Sequence, residues 1–150
     1  MSTEGMAKYK EVGLKLTPQR LAILKFLEGN KEHPSADEIY KAISKKFPTM
    51  SFATVYNTLE TLRRHGQVME LNFDPYKKRF DPNPKPHHHV ICVSCQKILD
   101  VQNDFSLKPP KIESEEFEII GSHIQFYGLC SKCKNKEKGG TLQCRKQNNI

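Results

Sequence analysis

Two Cys-x-x-Cys pairs, Cys92-Val-Ser-Cys95 and Cys130-Ser-Lys-Cys133, constrain this chain more than any other feature, with 34 residues (96–129) between them. A two-residue gap lets one tight turn present two sulfurs, and four thiolates complete a tetrahedral zinc site. The intervening chain must then fold back on itself, so the pairs predict strands closed by a metal. Disulfides, or buried thiols that only fill space, are the alternatives this spacing leaves open. His87, His88 and His89 stand just ahead of the first pair, and Asp100 follows it. Four cysteines already complete a structural site, so the histidines serve something else or end a solvated strand. On an extended strand His87 and His89 share one face, and His88, Val90 and Cys92 share the other.

The remaining composition narrows the setting. A chain of 150 residues with 37% hydrophobic content suffices for one domain or two small ones, the more so if metal adds stability. It has no apolar run of membrane-spanning length, and Met1 to Lys10 lacks the apolar core of a signal peptide. A cytoplasmic location is expected, where paired cysteines favour metal over disulfides. Cys144, the fifth cysteine, lies in a polar tail. The net charge of +7 is unevenly spread: residues 1–80 hold 14 Lys/Arg against 9 Asp/Glu, residues 81–131 hold 4 against 7, and residues 132–150 hold 6 against 1. A basic front and an acidic, ligand-rich middle imply two modules, the first facing a polyanion.

In chain order, residues 4–12 predict a short helix with Met6, Tyr9 and Val12 on one side. Thr17-Pro18 is a helix start, and Leu21, Ile23, Leu24 and Leu27 form the apolar stripe that Gly29-Asn30 ends. Ser35-Ala-Asp-Glu38 is a capping box before Ile39, Ile43 and Phe47, and Pro48 stops that helix. Ser51 opens a further helix to His65, with Val55, Leu59 and Leu62 inward and Gly66 closing it. Strands at Val68–Phe73 and Lys78–Phe80 follow as a wing, so the front reads as a winged helix-turn-helix. Its last helix offers Ser51, Thr54, Tyr56, Asn57, Thr58 and Thr61 to base edges; Arg64, Lys77 and Lys78 suit phosphates, and Arg20 is counted with the DNA-binding set. A plain three-helix core with a solvated face is the bland alternative.

Asp81-Pro-Asn-Pro-Lys-Pro86 is a stiff linker. Beyond it, strands are expected near 87–92 and 97–101, then at Phe117–Ile120 and His123–Leu129, while Pro109-Pro110 breaks any helix over 103–115. The fold class is therefore α+β. A winged-helix DNA-binding domain (1–82) leads through a hinge (83–86) to a small metal-binding α/β domain (87–135) and a basic flexible tail (136–150).

Several stretches together resemble the Fur (ferric uptake regulator) family of metal-dependent repressors. They are Leu16-Thr-Pro-Gln-Arg20, His33-Pro-Ser-Ala-Asp-Glu-Ile-Tyr40, Ser51-Phe-Ala-Thr-Val-Tyr-Asn-Thr-Leu59, His87-His-His-Val-Ile-Cys92 with Cys95, and Tyr127-Gly-Leu-Cys-Ser-Lys-Cys133. The resemblance implies a C-terminal domain that dimerises around a structural zinc on Cys92, Cys95, Cys130 and Cys133. It also implies a regulatory Fe(II) or Mn(II) on His33, Asp81, His87, His89 and Asp100, the ligand pattern of the peroxide-sensing (PerR) type. Asp81 and Asn57 stand where iron-uptake regulators tend to carry Glu and Arg. His33, before a proline in a loop, reads as a turn residue without the resemblance. His88 and His123 are left outside the main site, and the proline interruption departs from the helix that the family usually has there.

The resemblance implies a homodimeric repressor of double-stranded operator DNA, with no membrane partner and no enzymatic turnover. Peroxide would act through Fe(II)-dependent oxidation of a ligand histidine, His33 or His87, releasing the operator. An iron- or zinc-responsive repressor of uptake genes is the rival within the family. A zinc hydrolase on His87, His89 and Asp100 lacks a general base beside those ligands, and an RNA-binding module lacks stacking aromatics.

Overall fold

The computed structural model describes residue 9 and residues 13–74, 76–102, 117–119 and 124–137. Its contacts divide the chain into two compact units, Met1–Lys85 and Pro86–Ile150.

In the first unit, α1 spans Pro18–Leu27, α2 spans Ala36–Ser44 and α3 spans Phe52–Arg64. Each start is fixed by a hydroxyl that accepts from a backbone amide left open in the first turn: Thr17 from Arg20, Ser35 from Glu38 and Ser51 from Thr54. At Ser35 the expected capping box is complete, with the Glu38 carboxylate accepting from the Ser35 amide at 2.8 Å. The end of α3 is a Schellman turn. Gln67 N–H reaches Leu62 O at 2.8 Å and Gly66 N–H reaches Arg63 O at 3.0 Å, with Gly66 at φ 61°. The helices bury Ile23, Leu24, Leu27, Ile39, Ile43, Val55, Leu59 and Leu62 in one cluster with Leu14, Met50, Val68 and Phe80. Strands β1 (Met69–Leu71) and β2 (Arg79–Asp81) pair antiparallel, Glu70 opposite Phe80. β1 is shorter than the sequence predicts, and β2 keeps its expected length but starts and ends one residue later.

In the second unit, β3 (His88–Cys92) lies between β4 (Ile98–Val101), antiparallel, and β5 (Gln125–Gly128), parallel. The register places His89 beside Asp100 and Ile91 beside Ile98. The β3–β4 turn closes through Cys92 N–H to Lys97 O at 2.8 Å, with Gln96 at φ 59°. Two expectations are corrected. Residues 117–119 are not strand but exposed irregular chain. Cys133 stands on a helix, α4 (Ser131–Glu137), and is not delivered directly by the strand before it. The residue 4–12 helix apart from Tyr9, Pro109-Pro110, His123, Cys144 and the tail after residue 137 lie outside the described residues.

Candidate metal centres and nucleic-acid face

The four cysteine sulfurs lie within 4.8 Å of one another. Arms of about 2.3 Å to a tetrahedral zinc put sulfurs roughly 3.8 Å apart, and Cys95 and Cys130 stand at 3.6 Å, unbridged. Cys92 ends β3 and Cys95 lies in the turn after it, while Cys130 stands just before α4 and Cys133 in its first turn. Burial opposes ionisation of Cys92, but donors from the Cys130, Cys95 and Ser94 backbones outweigh it and bring the thiol down to about 6. Cys130 N–H points at the Cys92 sulfur from 3.3 Å. Around Cys133 a bond from Ser94 favours the thiolate, yet the Cys130 and Cys95 sulfurs prevail and push it up to about 11. The Cys133 backbone holds the Cys130 thiol below its usual range as well, so two of the sulfurs favour the thiolate while Cys133, among neighbouring sulfurs, resists it. A dication removes that resistance, so the donor set fits structural zinc.

A second donor group in the same unit is made of nitrogen and oxygen. His87 and His89 stand on one side of β3 as expected, their rings 4.4 Å apart. Asp100 Oδ1 is 3.4 Å from His87 Nε2 and 3.8 Å from His89 Nε2. The β3–β4 register delivers this proximity, since His89 and Asp100 are ladder partners. His88 turns away, and its Nδ1 accepts the Ile124 amide at 3.0 Å, which ties the entrance of β5 to β3.

The first unit carries a smaller group of the same kind. His33 and Asp81 are both buried, with His33 Nε2 3.6 Å from Asp81 Oδ2. The other Asp81 oxygen accepts the Asn83 amide at 2.8 Å. His33 holds φ 49°, a left-handed conformation uncommon for a residue with a Cβ. Imidazole and carboxylate donors suit Fe(II), Mn(II) or Zn(II), whereas the thiolate cluster selects zinc, so the chain presents two classes of metal donor.

The outer side of α3 exposes Ser51, Tyr56 and Asn57, with Thr54 half-buried. Thr58 is a correction. It is fully buried against the core, and its hydroxyl donates to Thr54 O at 2.6 Å, so it packs and offers nothing to a base edge. Arg64 is exposed and paired with Glu60 at 2.8 Å, while Lys77 pairs with Glu38 at 3.0 Å and Lys78 with Glu70 at 3.0 Å. Arg20 donates to Lys15 O at 2.9 Å beside a cleft of about 290 Å³ lined by Lys15, Thr17, Arg20, Ser51 and Thr54, where α1 and α3 begin. The sequence reading missed Arg79, whose guanidinium joins Glu38 to the His33 carbonyl. Its place two residues before Asp81 on a strand was the available clue.

The model of the Ferric uptake regulator family matches residues 11–127. The Peroxide-responsive repressor PerR of Staphylococcus aureus is 38% identical over 135 residues, covering 89% of this chain and 91% of that protein. Among solved structures, the Helicobacter pylori ferric uptake regulator Fur, described with three functional metal binding sites, aligns with a TM-score of 0.64 at 25% identity over 86% of this chain and 88% of that one. The Campylobacter jejuni peroxide stress regulator aligns with a TM-score of 0.58 at 29% identity over 89% of this chain and 100% of that one. With most of its length matched by the family model and the fold shared, the chain belongs to the ferric uptake regulator family of metal-responsive regulators and is similar to its peroxide-responsive repressors.

Proposed function

We propose that the chain is a homodimeric, operator-binding repressor that responds to peroxide through one regulatory cation. The observation that carries this reading is the division of nitrogen and oxygen donors between the two units. His33 and Asp81 belong to the first, and His87, His89 and Asp100 to the second. Two or three such donors make an incomplete shell in either unit, whereas five approach what Fe(II) or Mn(II) takes. A single ion held by all five would favour one arrangement of the units, and only that preference can shift the population. Moving it from 1:99 to 99:1 needs about 5.5 kcal/mol, within reach of several metal–ligand bonds. Structural zinc on Cys92, Cys95, Cys130 and Cys133 holds the second unit together.

DNA recognition falls to the exposed side of α3, with Ser51, Thr54, Tyr56 and Asn57 toward bases and Arg20, Arg64 and Lys77 toward phosphates. Lys77 and Arg64 would exchange their carboxylate partners for phosphate. Dimerisation is supported by β5, an edge strand among the described residues that exposes Tyr127 beside Leu129. No helix among the described residues is long and apolar enough to cross a membrane. A cytoplasmic DNA-binding role agrees with the thiol-rich, basic sequence.

When bound, Fe(II) supplies the one-electron chemistry that makes peroxide an oxidant. In net terms a ring C–H of His33 or His87 would be replaced by C–O, one peroxide oxygen ending on the ring and the other leaving as water, and as a weaker donor the oxidised imidazole would no longer hold its unit in place. The operator is then released. The test is a single dose of peroxide given to the Fe(II)-loaded chain. Peptides carrying His33 or His87 should gain the mass of one oxygen, and the Mn(II)-loaded chain should show no gain. Unmodified histidine peptides alongside Fe(II)-dependent operator binding would instead indicate an iron- or zinc-responsive repressor of metal-uptake genes.

A further inference from the structure

Resting on the metal reading above, we propose that Arg79, locked by Glu38, is a positioning residue that aims His33 at the regulatory cation. Three consecutive residues at His33 are stitched to the strand that carries Asp81. The His33 carbonyl accepts from Arg79 Nη1 at 3.4 Å, the Pro34 carbonyl accepts from the Phe80 amide at 3.0 Å, and Ser35 forms an antiparallel bridge with Arg79. The next residue after Phe80 is Asp81 itself. Both donors of the first unit therefore sit at the ends of one short backbone seam.

The seam is needed because His33 adopts a conformation its sequence disfavours. A φ of 49° is left-handed, and a residue before proline prefers extended backbone. Such strain persists only where the surroundings over-determine it. Arg79 is what over-determines it from the side. The same Nη1 also donates to Glu38 Oε2 at 2.9 Å, and its side chain is only 15% exposed. Glu38 is fixed in turn by the Ser35 amide at 2.8 Å and hydroxyl at 3.1 Å on Oε2, and by Lys77 at 3.0 Å on Oε1. The helix cap, the wing and the His33 loop thus meet at one carboxylate. Without the guanidinium, His33 relaxes toward extended backbone and its ring swings away from Asp81.

The experiment uses the zinc-loaded full chain without DNA, titrated with Mn(II) and followed by electron paramagnetic resonance. Arg79→Met should weaken Mn(II) binding about 10-fold, the scale of lost outer-sphere support. Arg79→Lys, which can reach Glu38 but not the His33 carbonyl as well, should weaken it too while the thermal midpoint stays near the parent's. Should Arg79→Met fail to fold, Glu38→Gln serves, with hydrogen exchange at the Phe80 amide of the metal-free chain reporting a loosened seam. Parental Mn(II) affinity in Arg79→Lys and Glu38→Gln, with His33→Ala weakened, overturns the positioning role alone. Parental affinity in His33→Ala overturns the metal reading and this proposal with it.

Discussion

Zinc removal should unfold the second unit and spare the first. Among the described residues of the second unit, only Ile91, Cys92 and Ile98 are buried apolar side chains. Each isoleucine contributes roughly 1.5–3 kcal/mol by leaving water. Ordering the four residues of β4 alone costs about 4–8 kcal/mol of backbone entropy, so these side chains do little more than offset one strand. Structural zinc on thiolates contributes on the order of 10–16 kcal/mol at neutral pH, far more than those side chains. The first unit, with twelve buried apolar residues in one cluster, has no such dependence. Extraction with a strong chelator under reducing conditions, followed by amide exchange, reads both units at once. Val90 and Ile91 should lose protection, while Leu59 and Leu62 keep theirs. Cys130→Ser should reproduce the pattern. Retained protection at Ile91 in a chain proven free of zinc would refute the reasoning, since the remaining apolar core would then suffice.

Leu59→Ala, at a fully buried position of α3, should cost about 2–5 kcal/mol in denaturant unfolding of the first unit. Gly66→Ala places a Cβ at φ 61° with no side chain to pack against, so a loss of roughly 1 kcal/mol is expected from strain alone, read as a lower thermal midpoint. Burial opposes ionisation of Glu38, but the Ser35 amide, Lys77 and Arg79 outweigh it and hold its carboxyl below the usual glutamate range. A depressed folded-state value means the contribution is complete above the usual range and disappears as pH falls through the lowered one. Glu38→Gln should therefore flatten the acid limb of the first unit's stability profile and leave the neutral limb sloped as before. Asn57→Ala should weaken operator binding in a gel shift, whereas Thr58→Val should change stability but leave operator affinity per folded molecule unaltered, because only Asn57 faces solvent.

The helices were legible because their signals are local. Thr17-Pro18, the Ser35–Glu38 box and Gly66 each act within one turn, and each is found in that role. The gathering of the four cysteines was legible for the same reason, since each pair is a single turn. Illegible were features that depend on distant partners. Thr58 looks like its neighbours in the sequence, but α3's inner stripe is wide enough to take it in, and a back-bond to Thr54 satisfies its hydroxyl. Arg79 reads as one more wing cation until the pairing of the His33 loop with β2 brings Glu38 to it across 41 residues. The helix carrying Cys133 follows from Lys134 N–H closing onto Cys130 O at 2.9 Å, a bond no spacing rule announces. The grouping of His87 and His89 could be read from strand alternation, while their meeting with Asp100 required the β3–β4 register.

The shared cation is tested most directly by operator affinity measured with and without Mn(II), in the parent and in His33→Ala, each at confirmed zinc content. The account predicts that Mn(II) tightens binding by the parent and does nothing for His33→Ala, with both metal-free chains binding equally weakly. Equal Mn(II)-dependent tightening in the two chains would show that the ion acts without joining the units, contradicting the account at its centre.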